Sequence, residues 1–382
     1  MSDETLNEIF DREIVPFLFS DAEPEDHPRL YLVGGQPGAG KSAAMETVLR
    51  HAAERGQSCP VAVIGDELRI FHPAYGSLLE TDPIHMPEAT AASSGAWIRR
   101  SLDYARNRRI SVAVEGTFRT PEVTLSTAEV FYEAGFFTCL IALAVPGPVS
   151  RLSTVDRFFR ELQDGRLSRW TPHGAHDSGF DGTMFTVELA QSHLSVSSLT
   201  VMNRSGDILF SKSRDFGLSS WRDDQPLNGA ADVLALERDK TWDPDFSLQW
   251  AKRLITNINW ALVSEIPARA AVPVFVQLLD DVEKPVKALT HHHHSRTSTS
   301  LRQIIVRPGN VFRRAKMFLD RKRTADFPLN GLRRFQTNSL GLRSASGRRV
   351  WTLAQWTSAW PQWMEDGHDS LDAAFHIDSH HA

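Results

Sequence analysis

Residues 35 to 42 read Gly35-Gln36-Pro37-Gly38-Ala39-Gly40-Lys41-Ser42 and match, without interruption, the phosphate-binding pattern G-x-x-x-x-G-K-[ST]. The glycines allow backbone N–H groups to curl around phosphate oxygens. Lys41 has the length to reach the β and γ phosphates, and the Ser42 hydroxyl is a ligand for Mg²⁺. We therefore expect all eight residues to line a site for a nucleoside triphosphate, with Ser42 at the metal.

The sequence on both sides of this loop favours the structure that the pattern requires. Residues 29 to 33 form a short apolar run of strand-forming residues, and residues 42 to 55 contain good helix formers. A strand, a glycine loop and a helix N-terminus together place the helix dipole and its free N–H groups at the phosphate. The alternative is a glycine-rich turn that carries Lys41 and Ser42 by chance.

The composition is typical of a soluble globular protein of two or three domains, since 41% of the 382 residues are hydrophobic and 23% are charged. No apolar stretch approaches the roughly 20 residues of a membrane span, and the first residues are acidic where a secretory signal is basic. We therefore expect a cytoplasmic protein without membrane contact. Cys59 and Cys139 lie at or within apolar runs, so we expect buried free thiols.

Charge is unevenly distributed along the chain. Residues 296 to 350 carry 14 Lys or Arg and only two acids, whereas residues 351 to 382 carry five acids and no Lys or Arg. The formal net charge of -5 hides this division, which indicates a change of domain. We predict a phosphate-loop domain over residues 1 to 215, an accessory helical region over 216 to 290, and a basic C-terminal extension over 291 to 382, for which flexibility is left open.

Apolar runs alternate with helical segments from the loop onwards. Residues 4 to 19 predict an amphipathic helix that is interrupted near Pro16. The predicted strands are residues 29 to 33, 60 to 64, 110 to 114, 136 to 145 and 197 to 202, with a short partner at 208 to 211. The predicted helices include residues 91 to 107, residues 121 to 134 and a segment that begins near Pro148. This alternation predicts an α/β fold of P-loop kinase type, with a mainly parallel central sheet flanked by helices.

Asp66 follows the second predicted strand and lies beside the loop, at the edge of the sheet where ligands bind. A carboxylate here suits the general base of phosphoryl transfer, because it stays ionised at neutral pH and can accept the proton of an acceptor hydroxyl. The alternative is a structural aspartate that caps the next helix.

Three polar residues, Glu115, Thr117 and Arg119, alternate after the third predicted strand. On an extended segment their side chains share a face, so we interpret them as a grip for substrate hydroxyls and phosphates. Two arginines follow the fourth strand, Arg157 on a predicted helix and Arg169 in the next loop. Arginine forks match phosphate oxygens, so this pair predicts a lid over the triphosphate, with a solvated helix face as the alternative.

These residues, in this order, resemble the zeta toxin family, which comprises kinases of bacterial toxin–antitoxin modules. The resemblance covers about residues 5 to 215. Besides the loop, it is carried by Asp66 with His72-Pro73, Val114 to Arg119, Ala144-Val145-Pro146, Thr154 to Arg157, Arg169 with Thr171-Pro172, Ala175-His176-Asp177, and Asn203-Arg204 with Gly206.

The resemblance implies an ATP- and Mg²⁺-dependent kinase that phosphorylates the 3′-hydroxyl of UDP-N-acetylglucosamine and so blocks peptidoglycan synthesis. It implies a cognate antitoxin as the protein partner and a sugar nucleotide as the substrate. The catalytic positions that it implies are Lys41, Asp66, Arg157 and Arg169. The substrate-binding positions that it implies are Asp66, Glu115, Thr117 and Arg119.

Two other functions stay open: a kinase of another nucleotide or of a nucleic-acid end, and a nucleotide-binding regulator without transfer activity. Phe118 stands where the family has a small residue, and we interpret it as a change in the acceptor pocket.

The last part of the chain carries three further features. For the basic segment 296 to 350 we favour a solvated tail over contact with nucleic acid. For the run from His291 to His294 we favour a flexible junction over a metal site, because no Cys or carboxylate accompanies it. The tryptophan cluster is consistent with an amphipathic helix or a partner surface; its members are Trp351, Trp356, Trp360 and Trp363.

Overall fold

The computed structural model describes most of the chain up to residue 285. The described residues are 1–54, 58–82, 85–164, 168–215, 217–218, 220–221, 229–263, 268–282 and 284–285. The predictions for the histidine run, the basic segment and the last tryptophan cluster lie outside them. The chain divides into two compact units: Met1–Phe158 with Leu167–Lys240, and Phe159–Arg166 with Thr241–Ala382. The domain boundaries at 215 and 290 stay predictions.

A six-stranded sheet is the centre of the first unit. Its strands are β1 Arg29–Gly34, β2 Val61–Val63, β3 Val112–Gly116, β4 Phe137–Ala144, β5 Ser198–Asn203 and β6 Ile208–Ser213. They lie in the order β2-β3-β1-β4-β5-β6, with β1 to β5 parallel and β6 antiparallel to β5. This confirms the predicted mainly parallel sheet, with the phosphate loop after a central strand.

Helices precede, connect and follow the strands. They are α1 Asp3–Ile9, α2 Val15–Phe19, α3 Lys41–Glu54, α4 Tyr75–Thr81, α5 Met86–Ala89, α6 Ala91–Asn107, α7 Pro121–Glu133, α8 Gly147–Gln163, α9 His173–Ala190, α10 Ala230–Asp239, α11 Pro244–Val263 and α12 Ala268–Asp280. A π-helical turn, Phe10–Ile14, joins α1 to α2. The predicted interruption is confirmed, because this wider turn ends just before Pro16, which has no N–H to donate.

The core consists of apolar side chains from the sheet and the helices packed on it. Trp97 of α6 is fully buried, and its indole Nε1 donates to the Leu6 carbonyl oxygen at 3.1 Å, which holds α1 against α6. Cys139 is buried as predicted, but the prediction for Cys59 was wrong, because it lies exposed ahead of β2. Within the described part of the chain, no helix is both long enough and apolar enough to cross a membrane.

Strand β3 begins and ends two residues later than the sequence predicts. It pairs with β1 from Leu30 opposite Val112 to Gly34 opposite Gly116. The backbone N–H of Arg29 bonds the Ser111 hydroxyl at 2.9 Å instead of a strand carbonyl, so the ladder starts later. Glu115 therefore belongs to the strand itself, where it is held more firmly than a loop residue.

The second unit contains helices α11 and α12, and tryptophan rings pack within it. Trp250 is buried, and its ring lies 5.7 Å from that of Trp242. Trp260 stacks on Phe159 at 6.5 Å. Trp221 lies in the first unit, where Arg214 covers its ring at 3.9 Å.

Candidate functional site

The phosphate loop joins β1 to α3 and has the backbone that its glycines allow. Gly38 and Gly40 have φ values of 78° and 98°, in the left-handed region that other residues enter at a cost. A Cβ atom at Gly38 would also lie 2.1 Å from the Ser150 carbonyl oxygen of α8. Both the turn and the close approach of α8 therefore require glycine at position 38.

Lys41, the first residue of α3, lies buried beneath the loop. Its Nζ donates to the Gln36 carbonyl oxygen at 3.3 Å and lies 3.7 Å from Glu115 Oε1. The pKa of Lys41 is lowered, first by burial and then by the positive charges of Arg169 and Arg157, while Glu115 opposes the shift. Glu115 therefore pairs with the lysine, and both predicted arginines lie near enough to act on its charge.

Asp66 contacts two arginines where β2 ends. Its Oδ1 accepts from Arg69 Nε at 3.2 Å and from Arg169 Nη1. Although it stands at the N-cap position of the 3₁₀ turn Glu67–Phe71, its side chain makes no capping hydrogen bond. The helix-cap alternative is therefore not supported, and Asp66 is part of a charged cluster with its side chain 39% exposed.

The two arginines at Asp66 are held differently. Arg69 is anchored on its far side, because its Nη1 donates to the Pro87 carbonyl oxygen at 2.7 Å and to the Thr90 hydroxyl. Burial lowers the pKa of Arg69, and it lowers the pKa of Arg169 to about 10, so Arg169 stays protonated at neutral pH. The sequence analysis missed Arg69, although a cation three residues after a carboxylate on a helical turn is a usable signal.

The segment after β3 is not extended as far as predicted. The strand ends at Gly116, and Phe118 has a φ of 50°, so the alternation that would place Glu115, Thr117 and Arg119 on one face is broken. Thr117 is half-buried and Arg119 is exposed. Thr117 and Arg119 still follow the strand that contains Glu115, but the three residues do not lie on one extended segment with a shared face.

Phe118 does not line an open pocket. Its ring is buried in the core, 5% exposed, and a Cβ atom at Gly34 would lie 2.2 Å from it. Its carbonyl oxygen accepts from the Thr186 hydroxyl of α9 at 3.2 Å. The interpretation of Phe118 as a change in the acceptor pocket is therefore wrong, because the ring fills the space that Gly34 leaves.

Arg157 and Ser42 complete the predicted donor side. Arg157 is half-buried on α8, and Ser42 is exposed in the first turn of α3. Among the described residues, no three His, Cys, Asp or Glu form a metal-binding group. An Mg²⁺ ion that arrives with a triphosphate fits this arrangement, because it keeps several waters and takes other ligands from the phosphates.

A buried polar network below the loop was not predicted. The Gln36 amide donates from Nε2 to the Val145 carbonyl oxygen at 2.9 Å and to the Ser150 hydroxyl at 3.1 Å. Ser150 in turn lies 2.9 Å from His176 Nε2, and His176 Nδ1 lies 3.1 Å from Asp177 Oδ1. The order resembles a hydrolytic triad, but Ser150 is fully buried, so no substrate reaches its hydroxyl.

This network predicts an acid-sensitive fold. The pKa of His176 is lowered below 6.5, mainly by burial; Arg151 and Arg238 lower it further and Asp177 opposes them. As the pH falls, His176 is therefore protonated in the unfolded chain before it is protonated in the folded protein. The contribution of neutral His176 to stability is present above pH 6.5 and is lost as the pH falls from there through the folded-state pKa. We expect His176→Gln to flatten the fall in Tm measured from about pH 8 to pH 5.

The matched control is His85→Gln, since His85 is also paired with an aspartate, Asp82 at 2.8 Å, but is 45% exposed. Its Tm profile should follow that of the wild type. A His176→Gln profile as steep as the wild type's would show that another group causes the acid sensitivity.

A small, open cleft lies between α3 and the turn after β5. Its lining residues are Gly40, Ala43, Ala44, Thr47, Met202, Asn203, Arg204, Ser205 and Gly206. Arg204 Nη1 donates to the Gly38 carbonyl oxygen at 2.6 Å, which ties this turn to the phosphate loop. The cleft is thus continuous with the loop through shared residues.

A phosphate loop after a central parallel strand, with a carboxylate after a second strand of the same sheet, defines the class as a P-loop kinase fold. Within that class, the family model described as Zeta toxin matches residues 18–215, which is just over half of the chain. The chain belongs to the zeta toxin family.

Two curated relatives show the extent of the similarity. Toxin zeta of Enterococcus hirae is 28% identical over 191 residues, which are 49% of this chain and 64% of the relative. Toxin PezT of Streptococcus pneumoniae serotype 4 is 31% identical over 152 residues, or 39% of this chain and 58% of that one. The match thus spans less than two thirds of the length of each of these relatives.

The fold also matches a solved structure. A chain from the PezAT chromosomal toxin–antitoxin system of Streptococcus pneumoniae superposes with a TM-score of 0.55 at 21% identity, covering 68% of this chain and 98% of that one. At this identity the likeness is one of fold.

Proposed function

We propose that this protein is an ATP-dependent kinase, the toxin of a toxin–antitoxin system, that phosphorylates the 3′-hydroxyl of UDP-N-acetylglucosamine. The observation that carries the proposal is the position of Arg169. Its guanidinium contacts Asp66, the candidate base, and its charge acts on Lys41, the phosphate-loop lysine. One side chain thus connects the acceptor and donor halves of a phosphoryl-transfer site.

The donor half holds ATP by its phosphates. Backbone N–H groups of the loop donate to phosphate oxygens, although Pro37 has none to give, and Lys41 exchanges its contact with Glu115 for the β and γ oxygens. The nucleobase would pack beside the loop, against the surface that α3 and the turn at Arg204 form. Ser42 is the residue that would hold Mg²⁺, which would offset negative charge on the phosphates during transfer.

The acceptor half deprotonates a sugar hydroxyl. Both arginines contact Oδ1 of Asp66, so Oδ2 can face the hydroxyl and take its proton. The hydroxyl oxygen then forms a bond to the γ-phosphorus as the bond to the β-phosphate oxygen breaks and ADP leaves. Arg69 stays at Asp66, while Arg169 turns to the phosphoryl group, where its positive charge balances the charge on the equatorial oxygens. Glu115, Thr117 and Arg119 bind the sugar nucleotide.

The biological setting follows from the family. A phosphorylated UDP-N-acetylglucosamine no longer serves peptidoglycan synthesis, so the activity is toxic in a cytoplasm that contains this substrate. A cognate antitoxin is the expected partner, in line with the toxin–antitoxin system from which the matching solved chain comes.

The test is a mass-spectrometric assay of the purified protein with ATP, Mg²⁺ and a set of acceptors. The set contains UDP-N-acetylglucosamine, its 3′-deoxy analogue, other nucleotides and a 5′-hydroxyl oligonucleotide. We expect one added phosphate on UDP-N-acetylglucosamine and none on the 3′-deoxy analogue. If only another acceptor gained a phosphate, that acceptor would replace UDP-N-acetylglucosamine as the proposed substrate. Tight ATP binding with no product on any acceptor would favour a nucleotide-binding regulator without transfer activity.

A further inference from the structure

Helix α10, Ala230–Asp239, follows the segment that the family model matches, yet it reaches the phosphate loop. Arg238, near its end, is 4% exposed. Its Nη2 donates to Gln36 Oε1 at 3.3 Å, and its Nη1 donates to the Phe180 carbonyl oxygen at 2.9 Å. The guanidinium also lies 3.9 Å above the Phe180 ring. A residue 202 positions away thus bonds a side chain of the loop.

Gln36 is the part of the loop that this contact fixes. Its side chain is fully buried and held at both ends, by Arg238 at the oxygen and by Val145 and Ser150 at the nitrogen. Its backbone carbonyl oxygen accepts from Lys41 Nζ at 3.3 Å and from the N–H of Ala39 at 3.1 Å. The orientation of Gln36 therefore sets both the turn of the loop and the place of the lysine.

A buried arginine is costly to keep, because its charge leaves water. Burial lowers the pKa of Arg238 to about 10, and the carboxylates of Asp181 and Asp239 offset part of this effect. A methionine of similar length would fill the space without that cost. We therefore attribute a role to the guanidinium group and its two hydrogen bonds.

We propose that Arg238 is a positioning residue of the phosphate loop, which holds Gln36 in the orientation that receives the triphosphate. Helix α10, beyond the family-matched segment, then sets the affinity for ATP. The inference rests on the proposed ATP site but not on the acceptor.

The experiment measures binding of a non-hydrolysable ATP analogue with Mg²⁺ by calorimetry, together with Tm, in the full-length protein. Arg238→Met should raise the Kd of the analogue by about 10-fold. This is the lower end of the range expected for the loss of a hydrogen bond from a charged group. Gln36→Leu should weaken it similarly. In the double variant the two losses should not add, because they remove one interaction.

The matched control is Arg214→Met. Arg214 is also a buried arginine, 2% exposed; its Nε and Nη2 donate to the carbonyl oxygens of Val196 and His193 at 2.9 Å each, and it lies 3.9 Å above the Trp221 ring. The two residues that accept its hydrogen bonds lie just before β5, at the sheet edge opposite the loop. Both methionine variants should lose Tm, and Arg214→Met should bind the analogue as the wild type does.

Three results would overturn the inference: wild-type affinity in Arg238→Met, an equal loss in Arg214→Met, or additive losses in the double variant. If Arg238→Met does not fold, Arg238→Lys carries the same prediction, since it keeps the charge and loses the fork. A wild-type protein that does not bind the analogue contradicts the proposed function itself. Binding without transfer to any acceptor leaves this inference standing.

Discussion

Asp66→Asn is expected to reduce phosphoryl transfer by about 10²- to 10⁴-fold, the range for loss of a positioned general base. ATP affinity should stay nearly unchanged, because the loop and Lys41 do not depend on this carboxylate. The amide keeps the shape of the side chain and one oxygen for Arg69, so the site should remain assembled. Transfer is measured by product mass, and ATP affinity by calorimetry.

The control for this variant is Asp103→Asn. Asp103 also pairs with an arginine three residues later, Arg106 at 3.0 Å, but lies 59% exposed on α6. It should retain full transfer, since an exposed ion pair contributes little. Full activity in Asp66→Asn would remove Asp66 from its role as the base.

Lys41→Met is expected to weaken ATP binding and to slow phosphoryl transfer. The buried ammonium donates to the loop backbone at Gln36, so its loss should cost about 10- to 100-fold in ATP affinity. Transfer with saturating ATP should fall by a further 10²- to 10³-fold, roughly the effect of removing one preorganised donor from a transition state. Both quantities are measured on the same preparation.

Lys240→Met is the matched control, because Lys240 also pairs with a glutamate, Glu237, but is 50% exposed. It should bind and transfer as the wild type does. If Lys41→Met lost transfer with unchanged ATP affinity, the lysine would act on the transition state alone, and the assigned donor role would need revision.

The sequence predicted the parts of the fold that local pattern determines. A strand, a glycine loop and a helix are encoded within about 25 consecutive residues, and all three lie where expected. The parallel direction of the strands follows from the alternation of strands and helices along the chain, because few sheet topologies are compatible with it. The location of Asp66 and Lys41 at one edge of the sheet could be predicted, because each follows a strand that ends there.

Other features depend on contacts between distant residues, which no local pattern carries. The bond from Arg238 to Gln36 spans 202 positions, and the network from Gln36 to Asp177 joins three elements. Phe118 was misinterpreted for the same reason, since its positive φ and its place over Gly34 arise from the packing of α9 on the segment after β3.

The most direct test of the central claim is phosphorus NMR of a reaction that contains the protein, ATP, Mg²⁺ and UDP-N-acetylglucosamine. We predict that ADP and one new phosphomonoester on the amino sugar appear in equal amounts, and that both form about 10²- to 10⁴-fold more slowly with Asp66→Asn. ADP without a phosphorylated sugar, or the phosphomonoester at full rate in Asp66→Asn, would contradict the account.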